Sequence, residues 1–498
     1  MNTSVRKISL ILALAFVALF VNLNIIQLGK SKALDDNPLN RRRAYAEEKV
    51  KRGEILAHDG TVLAESVPSG DPTFTWSRRY PQGALFGQIT GYYTSPFFCD
   101  STGIERYGND YLSGRAPTTT QGWVDSLLGR THEGNRVQLT VDPGLQRLAQ
   151  QQLQAHGERG GAAVIDTRTG AVLALYGNPS YDPNVVTSAK LNACTAAKAR
   201  LERLPQNPLL SRAYQVRYPA GSTFKIITAS AGIELGGMTL NTSFRATSRL
   251  SLPNTTKTLG NFGGEFCGGS LLRSFEVSCN TAFAQLALRI KLGKLVSMAE
   301  RYGLDSQLPI ELNAIPACVA SPPSGFTCDT PDEGNAFPPY VGIGQQSVGV
   351  TPLQMALVGA TVENGGQLMK PHVVSKVLDA ETNSVLVTIK PDVIRRVLST
   401  HSDQLMRKLM TGVVCAGTGT VVHFRHPCSG QIGGKTGTAQ TGRPGEPPHV
   451  WFVAWGPHIA VAVVVENGGT LKSEATGGKV AGPVARALLE YAMDHHLA

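Results

Sequence analysis

The sequence predicts an α+β protein in three parts: an N-terminal transmembrane helix, a small mainly-β unit, and a larger unit whose central antiparallel sheet is flanked by helices. Three observations carry this. Ile8 to Leu28 is an almost unbroken apolar run. Residues 35 to about 142 alternate turn residues with short strand-like runs. Beyond them, strand-like segments stand at both ends of the remaining chain with helical segments between, so the two ends share one sheet. The boundaries fall at 1–34 for the stub and anchor, 35–156 for the mainly-β unit with its linker helix, and 157–498 for the larger unit.

The apolar run is 21 residues long, close to the ~20 that a helix needs to cross hydrocarbon. A cleavable signal peptide has a shorter apolar core, roughly 7–15 residues, ended by small residues. The only such site, Ser31-Lys32-Ala33, lies beyond the full-length span, so the sequence reads as an uncleaved anchor. Arg6 and Lys7 precede it while Lys30, Lys32 and Arg41 to Arg43 follow. Loop charge alone would place the body in the cytoplasm, a rule that weakens when a long domain follows.

In the mainly-β unit, Gly53-Glu-Ile-Leu-Ala-His-Asp59-Gly60-Thr-Val-Leu reads as a hairpin around Asp-Gly. A linker helix starts at Asp142, a good N-cap, with Pro143 in the first turn, and runs to His156. The larger unit opens with AAVID and AVLALY around the turn Asp166 to Gly170. Helical stretches follow near 222–235, 281–292 and 351–363. It closes with strands at Ile432 to Gln440, Val450 to Trp455 and Ile459 to Glu466, then a helix near Ala481 to Met493.

Composition excludes several classes. Of 498 residues 42% are hydrophobic, and 53 Gly with 29 Pro stay below the roughly 25–30% share of low-complexity chains, which rules out disorder and collagen. The net charge of +10 invites a nucleic-acid reading, yet residues 1–52 alone carry ten Lys or Arg against four acids. The body is close to balanced, and a phosphate-tracking groove is not expected. No C-x-x-C or H-E-x-x-H occurs, so neither a metal nor a cofactor is called for. The eight cysteines suit disulfides in an exported protein. Cys318 with Cys328, and Cys415 with Cys428, bracket short loops and are the favoured pairs, while Cys99, Cys194, Cys267 and Cys279 stay unassigned. Buried free thiols are the alternative.

The chemistry concentrates at three places. The helix from Ser222 reads STFKIITASAGIEL, with charges only at Lys225 and Glu234. A helix apolar nearly all round is buried, and a buried lysine is rare without a demand for it. Lys225 lies three residues after Ser222, on the same face. Next, Ser278-Cys279-Asn280 precedes TAFAQLAL, and Lys435-Thr436-Gly437-Thr438 lies in a Gly-rich strand-like run. Each has a commoner reading alone: Ser222, Ser278 or Asn280 as helix caps, Lys435 as an edge-strand charge. Ser4 and Lys7 repeat the first spacing by chance. Beyond the anchor the three motifs S-x-x-K, S-x-N and K-T-G each occur once, in that order.

With these motifs the sequence resembles the penicillin-recognising acyl-serine enzymes. Cys279 replaces the Asp of the S-D-N form, which fits the looser S-x-N of penicillin-binding proteins. The resemblance extends through Gly53 to Gly60, Asn178-Pro-Ser-Tyr-Asp-Pro-Asn184, Gly344-Gln-Gln-Ser-Val-Gly-Val-Thr-Pro-Leu-Gln354 and Trp451-Phe452. These look like the class B enzymes, monofunctional peptidoglycan D,D-transpeptidases of the short actinomycete-type group. The resemblance implies an anchor, a dimerisation-type pedestal domain and a C-terminal penicillin-binding transpeptidase domain. The stretch between anchor and linker helix is too short for the glycosyltransferase of class A relatives.

What the resemblance implies for the residues is specific. Ser222 would be the nucleophile, Lys225 its base, and Ser278 a proton relay. Asn280 would bind the substrate's amide. Lys435, Thr436, Gly437 and Thr438 would hold the terminal carboxylate of a D-alanyl-D-alanine stem peptide. Backbone N–H groups of Ser222 and Thr438 would form the oxyanion hole. β-Lactams would mimic the donor. The body would lie outside the cytoplasmic membrane, and a membrane-embedded, SEDS-type glycan polymerase would be a partner. Rival readings are a β-lactam sensor, a non-catalytic wall-synthesis scaffold or a β-lactamase. Only seven residues precede the span, too few for a signalling part, and an anchor and pedestal do not suit a secreted hydrolase. Ser429 to Thr436 is one glycine short of a P-loop, and TAQTGRPGEPP after it breaks the helix that a P-loop must feed.

Overall fold

The computed structural model describes residues 3–30, 49–70, 75–94, 99–115, 133–157, 159–187, 191–304, 306–320 and 337–498. In chain order the main strands are β1 (Ile55–Leu56), β2 (Val62–Pro68), β3 (Trp76–Arg79), β4 (Arg136–Leu139), β5 (Gly160–Asp166), β6 (Val172–Asn178), β7 (Val374–Leu378), β8 (Val385–Thr388), β9 (Gly433–Ala439), β10 (His449–Gly456) and β11 (Ile459–Val465). The main helices are α1 (Thr3–Asn24), α2 (Pro143–His156), α3 (Lys225–Ser230), α4 (Asn280–Arg301), α5 (Pro352–Glu363), α6 (Thr400–Ala416) and α7 (Ala481–Asp494). The fold is the expected α+β: among the described residues, an N-terminal apolar helix is followed by two large sheets and four two-stranded ones.

α1 is exposed from Val5 to Leu23 and runs on as a wider turn, Ile25–Lys30. The segment Val5–Gln27, 23 residues long, is sufficient in length and apolarity to cross a membrane.

The first sheet has the order β8-β7-β4-β1-β2-β3. β1 runs parallel to β4 and the other neighbours are antiparallel. Two of its six strands therefore come from residues 374–388, where Val377 pairs with Val137 of β4. Under this sheet Glu105 is wholly buried between Arg52 and Arg78, each 2.6 Å away. Burial pushes the Glu105 carboxyl up, and the two guanidiniums more than reverse this, leaving it lowered. Removing the carboxylate strands two buried cations. Glu105→Ala is expected to cost about 3–5 kcal/mol, read as a fall in urea midpoint. An unchanged midpoint would show that the cluster is solvated rather than paired.

α2 carries the chain onward. The Asp142 carboxylate accepts the N–H of Leu145 at 2.5 Å, capping the helix as its sequence signature predicts. Gln146 then donates to the carbonyls of Leu85 and Leu175 and accepts the N–H of Leu175, tying the helix to β6.

The second sheet has the order β9-β10-β11-β5-β6, antiparallel throughout. First and last strands of the larger unit thus pair directly, Gly160 of β5 with Val465 of β11. β11 reads IAVAVVV without alternation because both faces are covered. Gly359 of α5 faces Val453 and Ala460, while Leu489 and Met493 of α7 meet Gly456 on the opposite face. β9 is left at the edge.

Candidate active site

Three segments meet beside β9. The first begins as a tight 3-10 turn, Gly221–Phe224, before α3 and a wider turn, Ala231–Leu235. Gly221 has φ +52°, a region costly for other residues, and a Cβ there would lie 2.8 Å from the carbonyl oxygen of Thr438. Its N–H donates to the Gly344 carbonyl at 2.8 Å. A Cβ on Gly344 would sit 2.1 Å from the Gly221 oxygen, so the two glycines let three backbone segments press together. One residue on, the half-buried Ser222 stands at the start of the helix.

α3 carries Lys225 inward, where it is fully buried. Its Nζ donates to the Ser278 carbonyl at 2.6 Å, to Asn280 Oδ1 at 2.7 Å and to Ser278 Oγ at 3.3 Å. Lys435, also fully buried, points from β9 and donates to Ser278 Oγ at 2.8 Å and to the Thr436 carbonyl at 3.0 Å. The Ser278 hydroxyl therefore bridges two lysines of different motifs. Their ammonium groups lie over Phe283 and Phe275, at 5.4 and 5.6 Å from the ring centroids.

Two cations this close in an apolar setting resist charging. Burial, and then Lys435 beside it, holds Lys225 well below the usual lysine range. Burial brings Lys435 down to about 7.

Ser278 has φ +57°, uncommon for a residue with a Cβ. The turn is pinned: Ser278 N–H donates to Phe275 O at 3.1 Å, Cys279 N–H to Ser274 O at 2.8 Å, and Cys279 is disulfide-bonded to Cys267. Asn280 opens α4 and donates from Nδ2 to the Gly260 carbonyl at 3.2 Å. On β9, Gly437 packs where a Cβ would lie 2.8 Å from Thr223 Cγ2. Thr436 Oγ1 shares a hydrogen bond with Thr418 at 2.7 Å. Thr438 lies against Gly221, next to Ser222.

The structure brings Ser222, Lys225, Ser278, Asn280, Lys435, Thr436, Gly437 and Thr438 together. Lys225 reaches Ser278 and Asn280 directly. Sequence reasoning missed Thr418, Phe275 and Phe283, which carry no motif of their own. It also missed the contact of Gly344 with Gly221, although Gly344 heads one of the quoted segments. Cys415 and Cys428 form a disulfide, as do Cys99 with Cys194 and Cys267 with Cys279. Cys318 is disulfide-bonded, and Cys328 lies outside the described residues. Among the described residues, no group of three or more His, Cys, Asp or Glu is placed to hold a metal ion.

Residues 160–490 match the penicillin binding protein transpeptidase domain, and residues 52–137 match the penicillin binding protein A dimerisation domain. The chain is 36% identical over 508 residues to the peptidoglycan D,D-transpeptidase PbpA of Mycolicibacterium smegmatis, covering 99% of both chains. It is 35% identical to the protein of that name from Mycobacterium tuberculosis, again over 99% of both. The ceftriaxone acyl-enzyme structure of penicillin-binding protein A from M. tuberculosis is similar with a TM-score of 0.78 at 34% identity, covering 90% of this chain and 99% of that one. A D,D-transpeptidase domain from Eggerthella lenta is similar with a TM-score of 0.71 at 26% identity, covering 90% of this chain and 99% of that one. The ordered motifs, the dimerisation and transpeptidase matches and the full-length relatives agree: the chain belongs to the class B penicillin-binding proteins.

Proposed function

We propose that this protein is a peptidoglycan D,D-transpeptidase that works through an acyl-serine intermediate and is acylated by β-lactams. The observation that carries the reading is the Ser278 hydroxyl held between two buried lysines, beside a serine at a helix start. Neutral Lys225 takes the proton of Ser222 as its Oγ attacks the carbonyl of the penultimate D-alanine. The C–N bond breaks, and the leaving D-alanine takes a proton passed through Ser278. An acceptor amine then attacks the ester carbonyl; its proton passes by way of Lys225 to Ser222 Oγ as the ester C–O bond breaks, which frees Ser222 and leaves Lys225 neutral again. Lys435, Thr436 and Thr438 hold the donor carboxylate along the edge strand, where Gly437 permits close approach, and Asn280 binds the stem's amide. The N–H groups of Ser222 and Thr438 receive the oxyanion.

We take the chain to divide at 34 and 156, with residues 374–388 of the third part lending two strands to the pedestal's sheet. The anchor would hold the body on the outer side of the cytoplasmic membrane, where peptidoglycan is cross-linked, next to a membrane-embedded glycan polymerase. The test is labelling of membranes with fluorescent penicillin. The expected result is one labelled band that disappears in Ser222→Ala, with the native intact mass raised by one drug molecule. Label persisting in that variant, or mapping elsewhere, would overturn the assignment.

A further inference from the structure

We infer that residues 261–266 form a landing ledge for the acceptor peptidoglycan strand, with Phe262 and Phe266 as platforms for its sugar rings. This rests on the transpeptidase reading above. The two rings are 60% and 74% exposed, Phe266 more than any other large hydrophobic residue described. They stand on a segment that is fixed. Asn261 Nδ2 donates to the carbonyls of Thr247 and Glu265, both at 2.8 Å, and its Oδ1 accepts the N–H of Thr281 at 2.9 Å. Each ring is one residue from a group tied to the S-x-N turn. Phe262 follows Asn261, and Phe266 precedes Cys267, the disulfide partner of Cys279. A rigid exposed ring binds with little ordering cost and offers an apolar face to the C–H face of a pyranose.

The charge around the ledge selects an anionic occupant. The strand Ser243–Thr247 pairs with Cys267–Ser270, and Arg249–Ser251 with Thr258–Gly260. Arg245, Arg249 and Lys257 on this structure are exposed, and Arg249 lies in register with Gly260, the residue that accepts from Asn280. Across residues 237–272 the only acid is Glu265. Stem peptides carry free carboxylates, so a strand with its sugars on the rings meets guanidiniums beside them. The position selects the acceptor. The donor carboxylate is held at the edge of β9, whereas the ledge adjoins Thr281 and the outer side of Asn280, beyond the donor's carboxylate end.

The experiment uses the detergent-solubilised full chain with uncross-linked glycan strands bearing stem peptides as acceptor, and a small free amine as the control acceptor. The Phe262→Ala, Phe266→Ala double variant is expected to raise KM for the glycan-bearing acceptor at least tenfold with kcat within twofold. Penicillin acylation and use of the small amine stay within twofold of native, and tyrosine at both positions restores KM. Arg245→Glu with Arg249→Glu raises the same KM, and its effect shrinks as salt rises. An unchanged KM in the double-alanine variant overturns the proposal. So does an equal loss with penicillin and the small amine, which would mean that the loop acts only by shaping the motif. Failure of the native protein to be acylated would instead overturn the transpeptidase reading, and is seen before any variant is compared.

Discussion

Lys225→Arg is expected to lower the rate of penicillin acylation about 10³-fold, nearly as far as Lys225→Ala. A general base contributes roughly 10²–10⁴-fold, and arginine cannot give up its proton in a protein. The substitution keeps a cation and donors within reach of Ser278 and Asn280, so it separates a proton acceptor from a fixed charge. Native acylation should fall as pH drops and Lys225 becomes charged, because only the neutral amine can act. The arginine variant should lose that limb of the profile. Acylation kinetics across pH 5 to 9 decide this. Retention of most of the rate in Lys225→Arg would move the base elsewhere.

The second large effect is on stability. Lys435 ionises at about 7 in the fold against 10.5 for the free group. Its folded value is depressed, so the fold binds fewer protons than the unfolded chain between those values and is penalised wherever the group is charged in both. Stability should therefore be lowest below pH 7 and recover as pH rises towards 10.5. At about 1.4 kcal/mol per unit the penalty below pH 7 is about 5 kcal/mol. Lys435→Met removes it. It also breaks the bonds to Ser278 and Thr436, worth about 1 kcal/mol each. The expected result is an inactive variant whose Tm rises by about 5 °C or more at pH 6 and falls at pH 10, where the penalty has nearly vanished and only the lost bonds count. Thermal melts at the two pH values check it. A lower Tm at pH 6 would mean that Lys435 is paired with an anion and stabilising.

The motif residues were legible because each motif is contiguous, and a run of three or four residues survives without knowledge of the fold. The buried serine helix was legible from its lack of charge, and the central sheet from strand-like ends around a helical middle. The tight turn before α3 was not, since the strain at Gly221 is set by Thr438 and Gly344, far away in sequence. The second hairpin-like pair, Arg249–Ser251 with Thr258–Gly260, is short and mostly exposed, so no alternation marks it. α4 runs to Arg301, nine residues past the expected end, across a break at Lys291 with φ +68°. Glycine after that break gave a stop signal that packing of Leu295 and Met298 overrides. The Cys267–Cys279 pair joins the strand Cys267–Ser270 to the S-x-N turn, and nothing in the spacing of eight cysteines singles it out.

The detour of residues 374–388 into the first sheet has a practical consequence for cutting the molecule. A fragment beginning at residue 157 would retain α5 and α6 but carry β7 away from β4, the strand that satisfies one of its sides. That bare row of amide and carbonyl groups is a template for pairing with another copy. The same excursion makes the linker more than a tether. A pull on the chain at Ile55 passes through β1, β4 and β7, and then through β8 and the strand Val393–Arg396, to α6, which packs on β9. The larger unit is thus joined to the first sheet by cross-strand hydrogen bonds as well as by α2, so the two parts cannot swing freely on one hinge.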